Sequence, residues 1–415
     1  MNSRRLIHLL WCFNLYVAST FIQVSTEKNV YDSKKCVYPA IYNFGDSNSD
    51  TGAGCAVFTG VKPPNGISFF GSLSGRASDG RLIIDFISKL KHYHHRFRLT
   101  YFNLFTDLST CENVRECWIF AGEELKLPYL SAYLNSVGSN YRHGANFAVG
   151  GASIRPGGYS PINLGVQVSE FVLFKSHSNI LFNQLSNNRT EPPFRSGLPR
   201  NEDFSKALYT FDIGQNDIAI GLQHTSEEQV KSSIPDILSQ FAQAVQDLYN
   251  EGARVFWIHN TGPIGCLPYD IIYYQHKNGN LDANGCVKPH NEIAQEYNRK
   301  LKDQVFQLRR KFPLAKFTYV DVYAAKYKLI SNAKNLGFVN PMEFCCGSYY
   351  GYHINCGKKA IINGTVYGNP CNNPWQHISW DGIHYSQAAN QWIAKQILYG
   401  YLSDPPVSVA KACRT

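Results

Sequence analysis

Four short stretches of this 415-residue chain carry residue types that do nucleophilic chemistry when a fold brings them together. The first is Phe-Gly-Asp-Ser-Asn-Ser-Asp-Thr-Gly at 44–52. There an apolar run passes straight into a polar, glycine-containing turn that can present Ser47 at a strand end with its N–H exposed. The second, Ile-Ser-Trp-Asp-Gly-Ile-His-Tyr at 378–385, sets Asp381 three residues before His384, just ahead of the last helical stretch. A serine nucleophile needs a base to take its proton and a carboxylate to hold that base in one tautomer. One turn can orient both Asp381 and His384, the carboxylate accepting from Nδ1 while Nε2 faces Ser47. Taken singly, a Ser- and Asp-rich turn is an ordinary strand exit, and one His among 13 means little.

The other two stretches offer donors for a tetrahedral oxyanion. Gly151 lies in Gly-Ala-Asn-Phe-Ala-Val-Gly-Gly-Ala-Ser at 144–153, and Asn216 in Asp-Ile-Gly-Gln-Asn-Asp at 212–217. A glycine lets a backbone N–H approach a ligand closely, and an Asn amide can donate from a strand end.

These residues act together only if a scaffold gathers them. Short apolar or β-rich runs at 40–44, 207–213, 254–259 and 317–322 alternate with longer helix-like stretches at 227–250, 291–312 and 386–401. That alternation predicts an α/β fold, a parallel sheet covered by helices. Such sheets hold ligands outside the carboxyl ends of their strands, where Ser47 and Asn216 fall. No repeat, low-complexity tract or interdomain linker divides the chain, and the proline-rich pieces at 191–199 and 404–406 read as a surface loop and a tail.

Composition agrees with a globular domain: 44% hydrophobic, 14% aromatic and only 17% charged residues exclude disordered, collagenous and coiled-coil classes. The net charge of +9 comes from scattered Lys and Arg rather than a clustered face, so no nucleic acid partner is expected. Residues 1–25 open with Arg4 and Arg5, continue through an apolar stretch and end in small residues, the pattern of a cleaved secretory signal peptide. His8, Asn14 and Gln23 interrupt the stretch, which is short for a span of about 20 apolar residues, so no stable membrane anchor is expected.

Export fits the two Asn-x-Ser/Thr acceptors at Asn188 and Asn363 and places the protein outside the cell or in the cell wall. Of 12 Cys, Cys12 leaves with the signal peptide; Cys345, Cys346, Cys356 and Cys371 crowd the C-terminal third and read as disulfides around a loop-rich region. Adjacent Cys345 and Cys346 lack the spacing of a structural zinc site. His92, His94 and His95 fall in a segment, 88–121, that interrupts a smooth amphipathic run at 80–87 and resembles translated AT-rich sequence; it is read as an anomalous insertion, from a retained intron or a gene-model error, rather than a metal cluster.

The four blocks, in this order, resemble the plant GDSL esterase/lipase family of SGNH hydrolases, with the closest look to its early-nodulin and α-L-fucosidase-like subgroup. Further matches are Gly75-Arg76 with 78–81, the run 260–268 and Cys345-Cys346-Gly347, and the resemblance covers residues 36–402. Asn48 stands where the family name has Leu. The resemblance implies a three-layer α/β/α sandwich with a flavodoxin-like central parallel sheet of about five strands. It implies Ser47 as nucleophile, His384 as base then acid, Asp381 orienting His384, and an oxyanion hole of the Ser47 N–H, the Gly151 N–H and the Asn216 side chain. It implies no metal and no organic cofactor, a monomer, and a small-molecule ester or acylated polysaccharide as substrate. Two other functions stay open: a glycosidase drawing a carboxylate pair from Asp46, Asp50, Asp217 and Asp381, and a catalytically silent carbohydrate-binding protein on the same fold.

Overall fold

The strands at 41–45, 208–212 and 255–259 are short and buried at every residue, as expected of a parallel sheet covered on both faces. β1 is Ile41–Gly45, β2 Gly144–Asn146, β3 Leu208–Asp212, β4 Val255–His259, β5 Lys316–Val320 and β6 Ser403–Asp404. They lie in the order β6-β5-β4-β3-β1-β2, parallel throughout except for β6, which pairs antiparallel with β5. The computed structural model describes residues 36–58, 63–88, 125, 127–186, 195–274 and 279–413. The expected signal peptide, the acceptor Asn188 and the expected insertion beyond Ser88 lie outside the described residues.

Alternating side chains give the sheet two different faces. Tyr42, Phe44, Tyr209, Phe211, Phe256 and Phe317 share one apolar cluster with the helices of one layer. Of the helices, α1 is Ile83–Ser88, α2 Leu164–Ser186, α3 Gln215–His224, α4 Glu227–Asn250, α5 Lys288–Lys311, α6 Val322–Ser331 and α7 Gln387–Ile397. Helices α2, α4 and α5 pack in series over the aromatic face, and α1, α7 and α6 pack on one another as a second group. The result is the three-layer α/β/α arrangement. Caps match the sequence: Ser226 and Gln229 form a capping box on α4, and Ser386 caps α7 through the Ala389 N–H.

Three readings of the sequence need correction. The piece at 404–406 is not a tail, because Ser403 and Asp404 pair with Val320 and Tyr319 as the edge of the sheet. The run at 80–87 is not amphipathic: all six residues of α1 are buried, with Asp85 held by Arg76 through two hydrogen bonds of 2.7 and 2.6 Å. The 144–153 block, read only as a donor turn, begins with strand β2.

The strand order reverses between β1 and β3, since β1 is followed on one side by β2 and on the other by β3. A crevice opens at such a switch point beyond the strand ends. Ser47 follows β1 there and Asn216 follows β3.

Candidate active site

The turn that carries Ser47 is built by its neighbours. Gly45 ends β1 opposite Asp212, and a Cβ at Gly45 would meet the Asp212 carbonyl oxygen at 2.6 Å, so only glycine lets the two strands run this close. The N–H groups of Ser49 and Asp50 both donate to the Asp46 carbonyl, which reverses the chain around Ser47. Below the turn, Asn43 donates to Asn146 at 2.7 Å and accepts from Thr210 at 2.7 Å, while Asn146 donates to the Ser49 carbonyl at 2.6 Å. These buried amides tie β1, β2 and β3 to the turn.

The opposite wall is the turn at 381–384. Gly382 takes φ +95°, a left-handed conformation suited to glycine, and this brings Asp381 under His384. The Asp381 carboxylate accepts from the Ile383 and His384 N–H groups at 3.0 and 2.8 Å, and from His384 Nδ1 at 2.7 Å. The other imidazole nitrogen, Nε2, lies 2.8 Å from Ser47 Oγ. Ser47, His384 and Asp381 therefore form one hydrogen-bonded line.

Electrostatics follows from that line. Burial favours the neutral imidazole, but the charge and hydrogen bond of Asp381, with the charge of Asp46 behind them, outweigh it and hold the His384 pKa above the ordinary value. Burial likewise opposes ionisation of Asp381, and His384 with the two backbone donors overcomes it, leaving that carboxyl below its usual range.

The expected oxyanion donors face the same cleft, which has a volume of about 1280 Å³ and is lined by Ser47, Gly151, Asn216 and His384 among others. Among the described residues, neither the Ser47 N–H nor the Gly151 N–H has a protein acceptor. Asn216 donates one amide hydrogen to the Ala152 carbonyl at 2.8 Å, which fixes its side chain and leaves the second hydrogen. Two buried carboxylates clamp the loop that bears Gly151. Asp50 accepts from the Gly52, Ala53, Gly54 and Gly150 N–H groups, and Asp217 from those of Ile154 and Arg155.

The same contacts bear on the glycosidase alternative. Both oxygens of Asp50, Asp217 and Asp381 are engaged by the protein, and Asp46 is only 1% exposed. None of the four presents a free carboxyl to a substrate, although burial pushes Asp217 up to about 6.

Sequence reasoning missed two features behind the site. Gln167, fully buried on α2, pairs with the backbone of Gly45. Lys326, 2% exposed on α6, stands near Asp46 and Asp212, its pKa lowered by burial against the attraction of both carboxylates. Burial and then the charge of Asp212 push Asp46 up to about 7. Neither Gln167 nor Lys326 has a local motif that marks it.

The crowded cysteines pair as Cys345–Cys371 and Cys346–Cys356, the adjacent residues going to different partners, and Cys266–Cys286 is a further bridge. Cys345 and Cys371 lie with His377 within ligand reach of one another, but their sulfurs are bonded together and offer no thiolate. The first two bridges pack around Trp380, next to Asp381. Asn363 sits exposed at the tip of the hairpin Ala360–Ile362 and Thr365–Tyr367, with φ +49°. Among the described residues no helix is long and apolar enough to cross a membrane.

A family model described as GDSL-like Lipase/Acylhydrolase matches residues 41–397. The chain is 48% identical to a GDSL esterase/lipase of Arabidopsis thaliana over 388 residues, covering 91% of this chain and 90% of the relative. It is 42% identical to an Arabidopsis thaliana protein named Alpha-L-fucosidase 3, over 92% of this chain and 93% of the relative. It is 39% identical to the GDSL esterase/lipase ENOD8 of Medicago truncatula, over 92% of each.

Proposed function

The chain belongs to the GDSL-like lipase/acylhydrolase family and is a carboxylic ester hydrolase, and on that premise we propose that it works through a Ser47-His384-Asp381 acyl-enzyme mechanism. Ser47 Oγ attacks the ester carbonyl carbon while His384 Nε2 takes its proton. The tetrahedral oxyanion lies against the Ser47 N–H, the Gly151 N–H and the second Asn216 amide hydrogen. Collapse expels the alcohol, which takes the proton back from His384 and leaves the acyl group on Ser47. Water then attacks this ester with His384 again as base, and the carboxylic acid departs as Ser47 is restored. Asp381 keeps Nδ1 protonated and steadies the imidazolium in both steps.

The observation that carries this reading is the pair of contacts on His384, 2.8 Å to Ser47 Oγ and 2.7 Å to Asp381. Its test is Ser47→Ala in a p-nitrophenyl acetate assay, which should leave almost no turnover above background; a variant retaining a tenth of wild-type activity would overturn the mechanism. A p-nitrophenyl fucoside assay run beside it should give no Ser47-dependent release, because Asp46, Asp50, Asp217 and Asp381 have no free carboxyl pair.

The same proposal takes the protein as a secreted monomer, freed of residues 1–25, N-glycosylated at Asn188 and Asn363, and acting outside the cell or in the cell wall on a small ester or an acylated polysaccharide. The exposed Asn363 supports the glycosylation, and a mobility shift lost in Asn363→Gln would test it. Residues 88–121 are taken as an insertion in the domain; transcript sequencing across the codons for Ile87 and Glu123 tests its origin.

A further inference from the structure

His353 lines the cleft beside the reacting groups, yet among the described residues no hydrogen bond engages its ring. Its Nδ1 is buried without a partner, and none of the described side chains or backbone groups pairs with Nε2. Because Nδ1 is closed off from solvent, Nε2 is the ring nitrogen open to the cleft, and an imidazole nitrogen with no protein partner on a cleft wall is free to bond a ligand. The ring is held firmly. It stacks on Phe344 with centroids 5.8 Å apart and planes 11° apart, and it tilts against Tyr269 at 5.5 Å. Its backbone pairs with Tyr349 in a two-stranded ribbon, and the Cys346–Cys356 bridge closes the loop that carries it. Burial keeps the imidazole neutral against the pull of Asp381, so it offers one donor and one acceptor.

Its position tells which part of a substrate it meets. His353 Cε1 lies 3.6 Å from where a Cβ on Gly382 would stand, so the ring packs on the turn that joins Asp381 to His384. His384 must hand its proton to the departing alkoxide, so the alcohol half of the ester lies on the His384 side. The oxyanion donors come from other loops. Tyr269 completes this wall, its N–H donating to the Gly382 carbonyl at 2.9 Å, and Tyr273 follows it, 4.5 Å away between ring centroids. The alcohol side is thus made of flat rings with polar edges.

We propose that His353 is a substrate-binding residue that hydrogen-bonds a hydroxyl neighbouring the scissile ester, so that the preferred substrates are esters of polyhydroxy alcohols rather than of simple alkanols. This rests on the Ser47 mechanism above. The shared chemistry is an ester flanked by a free hydroxyl, whether the alcohol is a glycerol or a sugar ring.

The test compares kcat/KM for glycerol monoacetate and for methyl 6-O-acetylglucoside with that for ethyl acetate, in wild type, His353→Phe and His353→Gln. Phe keeps the stacking and removes both hydrogen-bonding nitrogens; Gln restores a donor and an acceptor. Wild type should prefer at least one hydroxylated ester, the two arms showing which alcohol it takes. The preference should fall about ten-fold in His353→Phe and return in part in His353→Gln, as expected for one lost hydrogen bond. Equal loss on all three esters with a lowered melting temperature makes His353 structural and overturns the proposal, as does an unaltered preference or a wild type with none. Failure of wild type to cleave any ester would instead overturn the hydrolytic mechanism.

Discussion

The Gln167 side chain brackets the backbone of Gly45, accepting from its N–H at 2.9 Å and donating to its carbonyl at 2.8 Å. β3 takes the other side of Gly45, and β2 ends two residues earlier, opposite Asn43. Gln167 therefore stands in for a missing strand at the point where the chain turns towards Ser47. Replacing it with Leu leaves the buried Gly45 N–H unpaired, while Val149 still donates to the carbonyl. Gln167→Leu should lose about 1–3 kcal/mol in a denaturant titration. Its kcat should fall with little change in KM; a normal kcat in the folded variant would show that the bracket does not position Ser47.

The pH profile follows from His384. Only the neutral imidazole can accept the Ser47 proton, and Asp381 holds its pKa above the ordinary value of about 6.5. kcat/KM should therefore climb with pH through a midpoint above 6.5. Asp381→Asn removes the strongest charge opposing burial, so the midpoint should drop while the plateau rate falls by on the order of 10⁴. A pH–rate profile with an unmoved midpoint would break the link between the two residues.

Asn216 contributes one hydrogen to the cleft and one to the Ala152 carbonyl. Asn216→Ala should lower kcat by roughly 10² to 10³, the usual result of losing one oxyanion donor, with a small effect on KM. Because the Ser47–His384 contact does not involve Asn216, labelling of Ser47 by a fluorophosphonate should persist in the variant, which steady-state kinetics and mass spectrometry together would check.

How far these features were legible depends on range. β1, β3, β4 and β5 announce themselves as buried apolar runs, and Ser47, Asp381 and His384 stand in turns whose residue types suit their chemistry. β2 is Gly-Ala-Asn and has no β-forming residue; it exists because β1 offers it a ladder. α2 buries Leu164, Val168, Phe171 and Phe174, but Leu173, Ile180 and Leu181 are about half exposed and blur the stripe that would reveal it. Gln167 acts on a glycine 122 positions away, and no local pattern encodes such a partner.

Asp46 predicts a stability effect of unusual sign for a carboxylate. Burial and then Asp212 raise its folded-state pKa to about 7, against about 3.9 when unfolded. Between those values the folded chain binds more proton at this site than the unfolded chain, so this group's contribution to stability falls as pH rises through the window. Asp46→Asn is neutral and keeps the oxygen that accepts from Asn48. Its melting temperature, compared with wild type, should improve steadily from pH 4 to pH 7; a constant difference across that range would contradict a raised Asp46 pKa.

The Leu127 N–H donates to the Ser88 carbonyl at 3.2 Å, so the chain on either side of the expected insertion meets at one hydrogen bond. On the reading of residues 88–121 as an insertion, replacing 90–121 with a short Gly-Ser bridge should leave α1 in place and the melting temperature no lower than that of wild type. It should also keep p-nitrophenyl acetate turnover within about two-fold, since Ser47, Gly151, Asn216 and the turn at 381–384 are held by contacts outside the segment. A shortened protein that melts like wild type but has lost its turnover would mean that 90–121 contributes to the reaction and is no mere insertion.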